Sequence, residues 1–375
     1  AWNLSGIGCG RASSGQLAPG TPNHSKVSRN TPNANPCSRR RCFGKSVSTS
    51  ADVLTGQRVL VTGGSGFIGR HVVATLAGAG ASVRVVDLQP HPDPEVEIVI
   101  GDVADPATIE AAYGGGIDYV VHLAAVTSVL KSIQQPELTY RTNVAGTHRV
   151  LEGAREAGVR AFVLASTNAV TGPMDAPKIT ERARLRPLTP YGASKAAAEM
   201  MMSAYTAVYG VRCTAIRLTN VYGLGMQAKD SIVARLMRAI RLGNGFEVYG
   251  DGLQVRDYVN VTDVVSAATL ALTDERWAGP VVIGFGKSIS VLDVIDEVLG
   301  VTGVQLSVSY GAARAGEMPA VIVDTANAQS IGWKPSLDFH AGVSGVWEEW
   351  RTLALDAPAF QSPAAALVVA PAAAA

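Results

Sequence analysis

The sequence predicts an α/β fold: a doubly wound parallel sheet with helices on both faces, followed by a smaller C-terminal α/β lobe. Three observations carry this. Short apolar runs alternate with amphipathic helical stretches through the first half of the chain. The runs are nearly continuously apolar, as strands covered on both faces must be. A glycine-rich turn joins the first run to the first helical stretch, the place where such sheets open a ligand crevice.

The elements follow in order. Arg58–Thr62 is the first strand, and the helix after it places Ile68, Val72 and Leu76 on one face. Strands are expected at Ser82–Asp87, Val96–Ile100, Tyr119–Leu123 and Ala161–Ser166. Beyond Tyr222-Gly223 the alternation loosens. Helices are expected near Ile232–Leu242, Val261–Thr273 and Val291–Leu299, with a last one ending near Ala354. Residues 53–223 therefore form the first domain, with the chain returning to it near 258–283, and residues 224–354 form the smaller lobe.

Residues 1–52 are rich in Ser, Asn, Pro, Gly and Arg and lack apolar periodicity, so a disordered leader is expected. Its composition fits a plastid or mitochondrial transit segment. It equally fits sequence upstream of a native start near Val53, since no Met precedes Met174. Residues 355–375 are an Ala/Pro-rich tail outside the fold.

Composition excludes several function classes. Of 375 residues, 47% are hydrophobic and 17% charged, enough to bury a sizeable core. Residues 1–51 hold seven Lys/Arg and no acid, whereas residues 52–354 hold 30 acidic and 25 basic side chains. The core therefore offers no basic field for nucleic acid. No apolar run reaches the length of a membrane span. Cys9, Cys37 and Cys42 are spaced too irregularly for a zinc site, and Cys213 stands alone in an apolar stretch. A cytoplasmic, metal-free core is expected, with an organelle as the location if the leader is genuine.

Gly63-Gly64-Ser65-Gly66-Phe67-Ile68-Gly69 opens the first helix. Gly63 permits the tight turn, Gly66 admits a pyrophosphate to the backbone, and Gly69 allows close helix–strand packing. The free N–H groups of the helix start receive the negative charge. Asp87, 24 residues after Gly63, can accept from ribose hydroxyls and repels a 2′-phosphate, which selects NAD over NADP. Asp102, in Gly101-Asp102-Val103, is placed either to meet adenine or to cap its own loop.

Tyr191 and Lys195 lie four apart at the start of an alanine-rich helix, so both face one locus. A neighbouring ammonium and the positive nicotinamide both favour phenolate, and a depressed phenol pKa would let Tyr191 act as a general base near neutrality. Thr167 closes the fifth strand, where its hydroxyl can hold a substrate oxygen; Ser166 is the rival.

These residues carry a resemblance. The stretch Gly56–Arg351 resembles the extended short-chain dehydrogenase/reductases, in the NAD-dependent epimerase/dehydratase family. The motifs are GGSGFIG, Asp87, Gly101-Asp102, His122-Leu123-Ala124-Ala125, Asn143-Val144-Ala145-Gly146-Thr147, Thr167, Tyr191/Lys195 and Arg217-Leu218-Thr219-Asn220-Val221-Tyr222-Gly223. Tyr249-Gly250-Asp251-Gly252, Arg256-Asp257-Tyr258-Val259 and Ile331-Gly332-Trp333 complete the series.

The resemblance implies a Rossmann domain binding NAD and a C-terminal lobe binding a nucleoside-diphosphate sugar. Phe67, Ile68, Val103, Leu123, Ala124, Ala125 and Asn143 are implied to border the cofactor. Thr127, Asn220, Arg256 and Arg314 are implied to meet the substrate, the arginines as forks for the diphosphate. Val321, seven beyond Arg314, stands where a bulky gate excludes 2-acetamido sugars, so N-acetylhexosamine nucleotides are implied to fit. The resemblance also implies a homodimer, through helices near 128–158 and 191–210.

Departures from the family pattern point to the reaction. Dehydratases of the family carry Asp-Glu after the catalytic Thr; here stand Asn168-Ala169, which cannot shuttle protons. A 4-epimerase of the UDP-glucose/UDP-galactose type, passing through a 4-keto sugar and consuming no NAD, needs no such pair. Thr171 and Leu224 replace a Tyr and a Pro bordering the sugar site. A net oxidoreductase and a non-catalytic dinucleotide sensor are the alternatives. His122 reads as a packed strand-end residue and His148 as a solvated one.

Overall fold

The computed structural model describes residues 50–313, 320–357 and 360. The strands are β1 (Arg58–Thr62), β2 (Ser82–Asp87), β3 (Glu97–Ile100), β4 (Tyr119–His122), β5 (Ala161–Thr167), β6 (Arg212–Leu218), β7 (Asn220–Tyr222), β8 (Phe246–Tyr249), β9 (Val255–Asn260), β10 (Gly279–Ile283), β11 (Ser288–Ser290) and β12 (Val308–Gly311). The α-helices are α1 (Ser50–Leu54), α2 (Phe67–Gly78), α3 (Pro106–Tyr113), α4 (Val129–Gln134), α5 (Pro136–Tyr140), α6 (Thr147–Glu156), α7 (Pro190–Tyr209), α8 (Ile232–Leu242), α9 (Val261–Thr273), α10 (Val291–Thr302), α11 (Ala326–Ser330) and α12 (Phe339–Trp350).

Seven strands form one parallel sheet in the order β10-β6-β5-β4-β1-β2-β3. The chain winds outward from β1 through β2 to β3, then restarts at β4 and winds the other way. The crevice at this reversal, beyond the ends of β1 and β4, is where ligands bind in such sheets. Both faces are covered. One carries Val59, Val61, Val121 and Val163 against α2 and α9, and the other carries Leu60, Val120, Phe162 and Leu164 against α6 and α7. Burial on both faces is why these strands read as continuous apolar runs.

Four boundaries differ from expectation. β3 begins at Glu97, β4 stops at His122, and β5 runs on to Thr167. Helix α1 starts at Ser50, inside the expected leader, because Leu54 is fully buried in the core and Ser50 Oγ lies 3.2 Å from Thr273 Oγ1. The rest of the leader, residues 1–49, lies outside the described residues, as do tail residues 358–359 and 361–375.

After β7 the chain builds a smaller layer around α8, α10 and α12, with its own core of Leu236, Met237, Val298, Val346 and Trp350. Its sheets are short: β11-β9-β7 and β12-β8. Between them α9 and β10 return to the large sheet, β10 pairing in parallel with β6. The described residues from Ser50 onward belong to one compact unit. No helix among them is long and apolar enough to cross a membrane.

Candidate active site

The turn after β1 has the close contacts that demand glycine. Gly63 holds φ at 72°, and a Cβ there would lie 2.7 Å from the Ala124 nitrogen in the loop after β4. A Cβ on Gly69 would stand 2.1 Å from the Gly63 carbonyl oxygen, so helix and turn approach to a distance no side chain allows. Gly66 caps α2 without any side-chain hydrogen bond, which leaves the first-turn N–H groups to an anion. Phe67 and Ile68 are half-buried on that first turn. At the end of β2, Asp87 accepts from the Ser65 and Gln89 backbone N–H groups at 3.0 and 3.1 Å. A carboxylate has further acceptor capacity, so ribose hydroxyls can still be held.

Other residues expected at the cofactor divide by how much of each remains available. Asp102 accepts from Ala104 N–H at 2.9 Å and pairs with Arg141 at 3.0 Å, so it does cap its own loop. The Val103 side chain is buried in the core, leaving only its backbone to a ligand. Leu123, Ala124 and Ala125 are half-buried beyond β4.

Asn143 lies in a π-helical turn, Arg141–Gly146. Its Oδ1 accepts from Val126 N–H at 2.7 Å, while Nδ2 donates to Val126 O and Ser194 Oγ at 3.0 and 2.9 Å. Ser194 Oγ in turn donates to the Tyr191 carbonyl at 2.7 Å. Asn143 thus clamps the β4 loop to the start of α7, with both amide hydrogens used and one lone pair of Oδ1 left over.

His122 extends this lattice. Thr147 Oγ1 donates to Asn143 O at 2.6 Å, so it accepts from His122 Nε2, 2.9 Å away. Nδ1 then accepts from Thr62 Oγ1 at 2.6 Å. Burial, with Lys195 nearby, pushes the imidazole down to about 3. It is a neutral spacer inside the core.

The proposed catalytic hydroxyls meet where β5 ends and α7 begins. Thr189 Oγ1 caps α7 by accepting from Gly192 N–H, and Pro190 sets the first turn. A Cβ on Gly192 would lie 2.5 Å from Ala169 O, so only glycine lets the helix start press this closely on the residues after Thr167. Thr167 hydrogen-bonds the Tyr191 phenol. Ser166, one residue back, is buried and donates to Glu199. Strand alternation thus separates the two rivals, turning Thr167 to the tyrosine and Ser166 to the interior.

Lys195 is 2% exposed, and burial pushes its ammonium down to about 8 against the opposing pull of Glu199. The Tyr191 phenol is pushed up to about 12 by burial, with the Thr167 hydrogen bond opposing. The expected lowering of the phenol is therefore not produced by the protein alone: desolvation of the phenolate outweighs the Thr167 hydrogen bond.

On the substrate side, Asn220 and Arg256 line one cleft together with Ser231, Gln254 and Tyr258. Asn220 is exposed and donates to Asp257 O at 3.3 Å. Thr127 is exposed in the loop before α4. Arg314 lies outside the described residues. Val321 is not brought to this cleft; its side chain is buried with Ile179, Val282 and Val323, and its N–H bonds Val255 O. The small apolar residue behaves as a core residue, which a family position alone could not reveal.

Two site residues were missed by the sequence reading. Ser231 precedes α8 with its hydroxyl buried and unpartnered; a Ser before an apolar helical run is a readable cap signal. Asn168, read only as a lost acid, is 95% buried beside Thr167, and both amide atoms lack a partner. No cluster of three or more potential metal ligands exists among the described residues.

Comparison with known proteins accords with this geometry. The model of the NAD dependent epimerase/dehydratase family matches residues 59–284. A putative UDP-glucose 4-epimerase of Methanocaldococcus jannaschii is 32% identical over 77% of this chain and 96% of its own length. A dTDP-glucose 4,6-dehydratase of Streptomyces griseus is also 32% identical, over 76% of this chain and 92% of its own. Among solved structures, MoeE5 in complex with UDP-glucose and NAD is 36% identical, with a TM-score of 0.73 over 78% of this chain and 98% of that one.

Proposed function

The chain belongs to the NAD dependent epimerase/dehydratase family, and within it we propose a nucleotide-sugar 4-epimerase of the UDP-glucose/UDP-galactose type. The observation that carries this reading is the meeting of Thr167, Tyr191 and Lys195 at the end of β5, without a carboxylate at Asn168 or Ala169. Identity alone does not decide, since an epimerase and a dehydratase are equally similar. Dehydration needs proton donors beside the catalytic threonine; an amide and a methyl group supply none.

The glycine turn and the uncapped start of α2 fit a pyrophosphate, and Asp87 fits ribose hydroxyls. When bound, NAD supplies the redox partner for C4 and a positive ring charge that favours phenolate. Tyr191 takes the proton of the sugar 4-hydroxyl and returns it to the same oxygen once the 4-keto sugar has turned over and C4 has been reduced on its other face. Thr167 holds the same oxygen, and the Lys195 ammonium steadies the phenolate and binds ribose. Asn220, Arg256 and Ser231 hold the diphosphate.

The partner is a second copy. Leu130, Ile133, Met200 and Val208 are 46%, 56%, 66% and 70% exposed, and these apolar residues on α4 and α7 fit a homodimer interface. A Met200→Glu, Val208→Glu chain should sediment as a monomer; an unchanged sedimentation coefficient would place the contact elsewhere.

The function is tested by mixing the protein with UDP-glucose and NAD, following the 4-epimer by NMR and NADH by absorbance. Epimer without NADH accumulation is expected. NADH formed in step with an oxidised sugar would replace this reading with a net oxidoreductase. UDP-N-acetylglucosamine is the second substrate to assay.

A further inference from the structure

Behind the catalytic helix lies an ion pair that the proposed chemistry does not use. The Glu199 and Arg217 side chains are 7% and 3% exposed, with Arg217 Nη2 at 2.7 Å from Glu199 Oε2. Arg217 Nε reaches both carboxylate oxygens, at 3.1 and 3.2 Å. Ser166 donates to Oε1 of the same carboxylate. Arg217 Nη1 continues to the Glu181 carbonyl at 3.0 Å, and the Glu181 carboxylate accepts from Val282 N–H at 2.9 Å.

A buried pair of this kind is a poor source of stability, because desolvating two ions roughly cancels their attraction. Its position supplies another reason. Glu199 follows Lys195 by four residues on α7 and shares its face. Ser166 adjoins Thr167. The loop held at Glu181 links Thr167 to Tyr191. The Glu199–Arg217 pair thus ties together the strand and the helix that carry all three reacting groups and the loop between them.

We propose that Glu199, clamped by Arg217 and Ser166, is a positioning residue that supplies the counter-charge to Lys195 and holds the Thr167 strand end against the Tyr191 helix. This rests on the assignment of Thr167, Tyr191 and Lys195 as the catalytic set. Other groups do not replace it. On β4, His122 is neutral, and on β6 Arg217 is a cation. Lys131, Glu137 and Arg141, on the α4–α5 side of α7, are exposed to solvent. On α6, Glu152 pairs with Arg155.

The test compares three variants by kcat, KM and pH profile. Glu199→Gln keeps the shape and removes the charge. Its kcat should fall roughly tenfold or more, and the alkaline limb of the profile should move about one unit lower, with KM little changed. Ser166→Ala should move both in the same direction by less. Glu199→Met combined with Arg217→Met removes the pair without leaving a lone buried charge, so it should fold well yet retain the shifted limb and lowered kcat. A folded double variant with the wild-type rate and profile would overturn the proposal and leave the pair a packing element. Tyr191→Phe is run beside them: if that chain still turns over, the catalytic assignment itself has failed, whatever Glu199 does.

Discussion

The two halves of the cleft are built by different means. On the cofactor side, one continuous segment, β1-turn-α2, makes the cradle, and a Cβ added to Gly63 or Gly69 would lie 2.7 or 2.1 Å from backbone atoms, which leaves no alternative to glycine. On the substrate side, Asn220, Ser231 and the Gln254/Arg256 stretch come from three separate places along the chain, with Asn220 and Arg256 joined through the short sheet β11-β9-β7. The first half is rigid and local. The second is assembled, and its polar atoms at Ser231 and Asn168 are left without partners. A shared cofactor can be served by a fixed cradle, whereas substrate choice is tuned at positions whose backbone is not so constrained.

The comparison can be broken or sharpened at four points. Between the halves sits the chemistry, and Tyr191→Phe should lower kcat about a thousandfold or more while NAD titration and KM stay near wild type. Retained turnover would move the proton transfer elsewhere. In the rigid half, Gly69→Ala places a Cβ 2.1 Å from Gly63 O, so NAD affinity should fall roughly a hundredfold. Gly78→Ala, on the same helix with nothing within 4 Å, should instead stabilise by about 0.5–1 kcal/mol. Equal effects from the two would deny that close approach is what Gly69 provides. In the assembled half, Arg256→Ala should raise KM for the nucleotide sugar about 10- to 100-fold with little change in kcat, the worth of a charged hydrogen bond. A kcat loss without a KM change would place Arg256 in the chemistry.

The last point concerns His122 on β4, which joins Thr62 of β1 to Thr147 of α6. Its imidazole is held down at about 3 in the folded protein, from 6.5. Below pH 6.5 the unfolded chain takes up a proton that the folded protein refuses, so stability falls as pH drops toward 3. The slope from this one group is about 1.4 kcal/mol per pH unit. Denaturant melts of wild type and His122→Gln should diverge by that slope across this window. Parallel curves would mean that His122 is not buried neutral.

The elements of the large sheet were legible because strand burial writes itself as apolar runs and each βα unit is contiguous. The miss at Ser50 has a tertiary cause: nothing in residues 50–52 marks a helix, but Leu54 finds a core to enter. Thr167 over Ser166 could be argued from register, yet the reason for it, a carboxylate 33 residues away on α7, could not. Asp102 shows the opposite outcome, its carboxylate shared between its own loop and an arginine 39 residues on.

By itself the sequence determined the strand–helix alternation, the glycine turn between β1 and α2 and the spacing of Tyr191 and Lys195 on one helix, because each is written within one or two turns of chain. Only the tertiary structure decided that Asn143 is a clamp, that Val321 is core, that Tyr191 is pushed up rather than down, and that Glu199 and Arg217 join behind the site. The physical reason is the same for all four: burial and hydrogen-bond partners are set by segments distant in sequence, and the free energy of a buried polar group depends on them rather than on its own position in the chain.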